Sequence, residues 1–361
     1  MSGAGDYGAE LKELLQAVLR EQASDLHISV GRHPTIRISG KLTPIENKPI
    51  LQPEQTEGLI FTMLNEEERQ KFLADRELDF SYSYDQKARF RVNAYFEKGF
   101  MAAALRLIPV EIRTLKELSL PDIHSDFVRK KQGFFLVVGP TGHGKSTTLA
   151  SMLNIINTER YEHIITIEDP IEFLFTQDKS IIDQREVGSD TKGFHKALRS
   201  MFRQDVNVAM IGEMRDHETI SAAVTAAETG HLILSSLRTN NAAQTIDRII
   251  DAFPPNQQSQ IRVQLSASLI GIFSQRLIPR ISGGLIPAYE ILLATTAVKN
   301  LIRENKIHEI DIVIETNAEI GMLSLNKSLI SLVEREEVTL DTALSYSLDQ
   351  KNLANLMGRR K

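Results

Sequence analysis

Phe134-Phe135-Leu136-Val137-Val138-Gly139-Pro140-Thr141-Gly142-His143-Gly144-Lys145-Ser146-Thr147 is the stretch that decides the fold. Its apolar opening, Phe134 to Val138, suits a strand buried on both faces. Gly139 to Ser146 then satisfies G-x-x-x-x-G-K-[ST] at every position, and Ser146 to Ile156 reads as a helix. A strand, a glycine-rich loop and a helix in that order aim the amides of the helix N-terminus at an anion. Glycines let the backbone approach it. Lys145 is placed to contact the β- and γ-phosphates of ATP and the Ser146 hydroxyl to ligand Mg2+, because phosphoryl transfer needs charge neutralisation more than covalent help. The predicted nucleotide-binding residues are Gly139, Pro140, Thr141, Gly142, His143, Gly144, Lys145, Ser146 and Thr147.

Further along, Ile164 to Ile167, Asn207 to Ile211 and Leu232 to Leu237 are short apolar runs separated by helical segments, the pattern of a parallel sheet in an α/β domain. From Pro287 onward helical segments predominate. Glu168, Asp169 and Glu172 follow one apolar run and Glu213 follows another, at the carboxyl edge of the sheet, where ligands gather. One carboxylate there can orient an attacking water while another holds waters of the metal. Glu172 and Glu168 are both candidates for the first role, and Glu213 for the metal site beside Ser146.

Upstream, Leu11, Leu14, Leu15, Val18 and Leu19 recur at helical spacing. Leu26 to Val30 and Thr35 to Ile38 alternate around a turn at Gly31 to Pro34, and helices are expected from Pro53 and from Glu66. A second alternating block runs from Leu78 to Leu107. These elements describe a small α+β domain, and Pro109 and Pro121 bracket the way out of it. The expected domains are 1–114 and 115–361, since 361 residues exceed the usual size of one core.

Apolar residues at 42% and charged residues at 25% describe a globular chain, and a net charge of −5 argues against a nucleic-acid partner. The absence of cysteine excludes disulfides, thiol catalysis and cysteine-based zinc sites. The first residues are small and acidic, without the pattern of a secretory signal, so a cytoplasmic location is expected. Apolar runs fall well short of the ~20 residues that span a bilayer, which leaves peripheral membrane contact only.

Taken in order, the motifs resemble those of the type IV pilus retraction ATPases (PilT type) within the secretion ATPase superfamily. Ser24-Asp25-Leu26-His27-Ile28 is similar to the family's N-terminal motif, Gly139 to Thr147 to its Walker A loop, and Ile167 to Phe173 to its aspartate box. Gly212-Glu213-Met214-Arg215-Asp216 resembles its Walker B ending, Thr229-Gly230-His231-Leu232 the start of its histidine box, and Ala297 to Glu304 its C-terminal retraction segment. The resemblance implies a homohexamer of PAS-like N-terminal and RecA-like C-terminal domains that hydrolyses ATP at the inner membrane. It also implies a pilus platform protein as partner, with a second retraction ATPase as a further one. His231 joins the catalytic candidates on this ground. So do Arg89, Arg91, Arg106 and Arg113, as arginines that reach a neighbour's nucleotide. Assembly and secretion motors of the superfamily typically add an N-terminal region and a four-cysteine zinc module, so a cysteine-free chain favours retraction. His143, Asn207 and Arg238 depart from the family pattern. They keep open the alternatives of an accessory ATP-binding subunit with weak hydrolysis or a related secretion ATPase.

Overall fold

The computed structural model describes residues 6–38, 40–85 and 88–358, and the chain divides into two compact units, Met1–Val110 and Glu111–Lys361.

In the first unit α1 (Tyr7–Arg20) is capped by Asp6, whose carboxylate accepts from the Ala9 N–H at 3.0 Å. There follow β1 (Asp25–Ile28), β2 (Thr35–Ile38), β3 (Lys41–Pro44), α2 (Pro53–Met63), α3 (Glu66–Asp75), β4 (Glu77–Tyr84), β5 (Ala88–Glu97) and β6 (Phe100–Ile108). The strands form one antiparallel sheet in the order β3-β2-β1-β6-β5-β4. Phe90, Val92 and Ala94 pack into a core with Leu11, Leu14, Leu15 and Val18 of α1. Each fully buried side chain of this size stabilises the fold by about 1.5–3 kcal/mol. Period two then sends Arg89, Arg91 and Asn93 to the opposite face. The sequence reading missed β3 because all four of its residues are exposed, so burial imposes no alternation on them.

The second unit runs through α4 (Ile123–Val128), β7 (Gly133–Val138), α5 (Lys145–Glu159), β8 (His163–Glu168), β9 (Ile181–Glu186), α6 (Phe194–Met201), β10 (Val208–Ile211), α7 (His217–Glu228) and β11 (Leu232–Leu237). It continues with α8 (Ala242–Asp251), α9 (Pro255–Ser268), β12 (Leu269–Pro279), β13 (Leu285–Leu293), α10 (Thr296–Arg303), α11 (Ile310–Thr316), α12 (Leu325–Glu334), α13 (Leu340–Tyr346) and α14 (Gln350–Gly358). Its seven strands lie in the order β13-β12-β7-β11-β10-β8-β9. All neighbours are parallel except β13, which pairs antiparallel with β12.

Successive residues of β7 feed two cores. Phe134, Leu136 and Val138 pack with α6 to α10 on one face, and Phe135 and Val137 with α4 and α5 on the other. Burial on both faces is why the central strands read as continuous apolar runs. Helices α10 to α14 do predominate in the last part of the chain, after Pro287 to Leu293 complete β13. An edge strand tolerates Pro287 because its missing N–H costs no ladder bond on the open side. A third cluster joins Ile278, Ile286 and Ala288 of this hairpin to Leu325, Leu329 and Leu353 of the last helices. No helix among the described residues is long and apolar enough to cross a membrane.

Candidate functional site

The glycine-rich loop leaves the carboxyl end of β7 and enters α5 at Lys145, with Gly144 at the N-cap and no side-chain cap on the first turn. The amides of that turn are left for a ligand. Gly139 has φ +151° and a Cβ there would stand 2.3 Å from the Gln275 carbonyl oxygen. Gly144 has a left-handed φ of +81°, and a Cβ would meet the side-chain amide nitrogen of Gln275 at 2.8 Å. Only glycine fits the loop against β12 at these two positions. Lys145 Nζ donates to the carbonyls of Gly139 and Pro140 at 3.0 and 2.9 Å, so the ammonium is folded back over the loop. Burial, followed by the Arg238 guanidinium, lowers its pKa from the usual lysine value, against the pull of Glu213 and Glu172. Thr141 and Gly142 form the exposed tip, and Thr147 is half-buried in the first turn of α5.

Ser146 Oγ donates to Glu172 Oε1 at 2.9 Å. That bond separates the two glutamates the sequence left unranked. Glu168 is buried, and its oxygens accept from Thr166 Oγ1 at 2.7 Å, Gln184 Nε2 at 3.4 Å and the Glu172 N–H at 3.3 Å. Burial pushes its carboxyl up to about 7. Glu168 thus braces the loop from beneath, while the exposed Glu172 carboxylate meets the phosphate loop. Glu186 plays a similar part, accepting from the Ile171 N–H at 3.0 Å.

Glu213, just past β10, is held from two sides. Arg238 Nε reaches Oε1 at 2.8 Å and its Nη2 reaches Oε2 at 2.9 Å, a two-pronged grip. Arg215 adds Nε and Nη2 on Oε2 at 3.1 and 3.0 Å. Arg238, at the end of β11, therefore faces both a carboxylate and the loop lysine.

The structure does not bring His231 to this group. It precedes β11 at the amino end of the sheet, where Nδ1 lies 3.0 Å from the Ala226 carbonyl and the ring meets Phe202 edge-on. Within one chain it therefore stands apart from the phosphate loop. Asn207 is at the same remote end, accepting from the His163 N–H at 2.8 Å through its side-chain oxygen. An aspartate would accept that bond equally well, so this departure leaves the phosphate loop untouched. The N-terminal arginines lie on the polar sheet face of the first unit. Arg106 Nε donates to Asp25 Oδ1 at 2.9 Å, Arg91 is its cross-strand neighbour, and Arg37 closes on Asp25 at 3.6 Å from the other side. Burial alone would raise the Asp25 pKa, but hydrogen bonds from Ser24 and Arg106 outweigh it and lower the value. Arg89 sits two residues along the same face, and Arg113 lies in the exposed segment that opens the second unit.

Among the described residues no group of three or more His, Cys, Asp or Glu side chains could hold a metal ion. A magnesium ion on a phosphate loop does not need one, because one hydroxyl, the phosphates and water complete its shell. The Ser146 hydroxyl, fixed on Glu172, fits that task. Glu213, with both oxygens on guanidinium groups, fits an outer position and not a direct ligand.

Residues 6–284 match the family described as type II/IV secretion system protein. The chain belongs to this family. It is 43% identical over 334 residues to the type IV pilus retraction ATPase PilT of Pseudomonas aeruginosa, covering 92% of this chain and 97% of that one. The twitching motility protein of Neisseria gonorrhoeae is 44% identical over 322 residues, covering 89% and 86%. A crystal structure of the pilus retraction motor PilT with bound ADP superposes with a TM-score of 0.88 at 45% identity, covering 95% of this chain and 98% of that one. Within the family the chain falls among the pilus retraction ATPases.

The family motifs supplied most of the site, but not Gln275, Gln184 or the role of Arg215. Gln275 is 132 residues from its loop partner His143 and sits on β12, a strand the sequence patterns did not predict. No spacing rule could have found it.

Proposed function

We propose that this chain is one subunit of a homohexameric, magnesium-dependent ATPase that drives retraction of a type IV pilus, working from the cytoplasmic side on a platform protein of the inner membrane. The observation that carries the reading is the loop geometry. Lys145 lies over Gly139 and Pro140, and Ser146 is tied to Glu172, in a chain similar to retraction motors along nearly its whole length. Lys145 neutralises charge on the β- and γ-phosphates, the Ser146 hydroxyl holds the metal, and Glu172 orients the attacking water. Magnesium, when bound, offsets the negative charge of the reacting phosphates. Glu168 keeps Glu172 in place through its N–H, and Glu213 serves the outer shell of the metal. In a ring, Arg89, Arg91, Arg106 and Arg113 are the candidate cations for a neighbour's nucleotide.

The grip of Arg238 on Glu213 favours a second reading, an accessory subunit that binds ATP and turns it over weakly. Steady-state phosphate release by the purified assembly decides between the two. The motor reading expects turnover that falls to background in Lys145→Ala while circular dichroism stays native. Equal, negligible rates in both proteins would select the accessory reading.

A further inference from the structure

The ladder between β7 and β12 ends at Val138 opposite Ser274, yet β12 runs on beside the phosphate loop. There Gln275 accepts from Thr148 Oγ1 at 2.7 Å and donates through Nε2 to the His143 carbonyl at 2.8 Å. One residue pair further, the Leu277 N–H donates to Nδ1 of the His143 ring at 2.9 Å. On its other edge β12 continues its pairing with β13, Leu277 opposite Pro287. The imidazole thus takes the position that the next carbonyl of β7 would have occupied had that strand continued. β12 itself is anchored beyond this point, because Ile278 packs with Leu329 and Ile330 of α12. A ring nitrogen that accepts an N–H carries no proton, so the imidazole is neutral with its hydrogen on Nε2. Protonation would set an N–H against the Leu277 N–H and end the bond. The surroundings favour the neutral form: burial first, then the guanidinium of Arg276 on β12, then the Lys145 ammonium at the start of α5, all lower the pKa of the ring.

We propose that His143 is a positioning residue of the phosphate site: its neutral ring fastens the phosphate loop to β12, and acid unfastens the loop and weakens nucleotide binding. The inference rests on the reading of this loop as the nucleotide site. Its test is ADP affinity by calorimetry from pH 5.5 to 8 for the full chain and for His143→Ala, His143→Asn and Lys145→Ala. Asparagine places a non-titrating acceptor where Nδ1 stands. At pH 7.5 His143→Ala binds ADP about tenfold more weakly than the parent, and His143→Asn restores affinity to within about threefold. Below the ordinary histidine pKa of about 6.5, the parent loses about tenfold more affinity than His143→Asn. The titrating phosphate of ADP affects both proteins alike. The proposal is overturned if His143→Ala binds as tightly as the parent at pH 7.5, or if the parent and His143→Asn lose affinity in parallel. A Lys145→Ala protein with undiminished affinity would instead overturn the nucleotide reading beneath it.

Discussion

The two ends of the seven-stranded sheet carry the same kinds of residue and use them differently. His231 and Arg238 flank β11, about 23 Å apart at the rise of a strand. At the amino end, His231 and His163 satisfy backbone carbonyls of Ala226 and Gln204, and Asn207 closes the His163 N–H. At the carboxyl end, Lys145, Ser146, Glu172, Glu213, Arg215 and Arg238 form a connected polar group. The lesson is directional. Parallel strands bring all their carboxyl ends to one edge, so chemistry collects there while polar side chains at the other edge finish backbone hydrogen bonds. Two polar residues that flank one strand can therefore have unrelated duties.

The strongest challenge to this contrast is at Glu172. Replacing it by Gln should cut turnover about 100-fold, the scale of one general base, with little change in ADP affinity. Glu168→Gln, four residues away but facing Thr166 and Gln184, should cost less than about tenfold. Phosphate-release rates of the two variants compare them directly, and a larger loss in Glu168→Gln would reverse their roles. At Arg238 the expected effect is smaller. Arg238→His should change turnover several-fold and steepen its pH dependence between about 6 and 8, since imidazole titrates there and a guanidinium does not. Superimposable pH–rate profiles would remove Arg238 from the reaction. The smallest effect belongs to the amino end. His231→Ala should leave ADP affinity within about twofold and lower the melting temperature by about 2–4 °C, the size of one lost hydrogen bond in a unit this large. Any marked loss of ADP affinity would show that the two ends are coupled.

Much of this was legible before the fold was known. Phe134 to Thr147 already contains a buried strand, an anion loop and a helix start, because hydrogen-bond direction and glycine conformations act over a few neighbouring residues. The alternation of Arg89, Phe90, Arg91 and Val92 likewise specified one wet and one dry sheet face. Local patterns failed where burial was absent or the strand lay toward an edge of the sheet. β3 is exposed throughout, and β9 and the β12–β13 hairpin lie toward the sheet edges, where period and composition say little.

Which carboxylate touches the phosphate loop was a tertiary matter. Glu168 and Glu172 share one short segment, and only the neighbours Thr166, Gln184 and Ser146 send the first inward and the second to the loop. The same holds for the departures from the family pattern. Sequence marked His143, Asn207 and Arg238 as equally unusual, and the fold sorted them. It placed Asn207 at the far end, set Arg238 on Glu213, and brought Leu277, 134 residues away along the chain, to the His143 ring. Sequence determines the local backbone and the side chains available to it. Pairing between distant segments depends on how the strands stack, and that order is decided by burying both faces of the sheet at once.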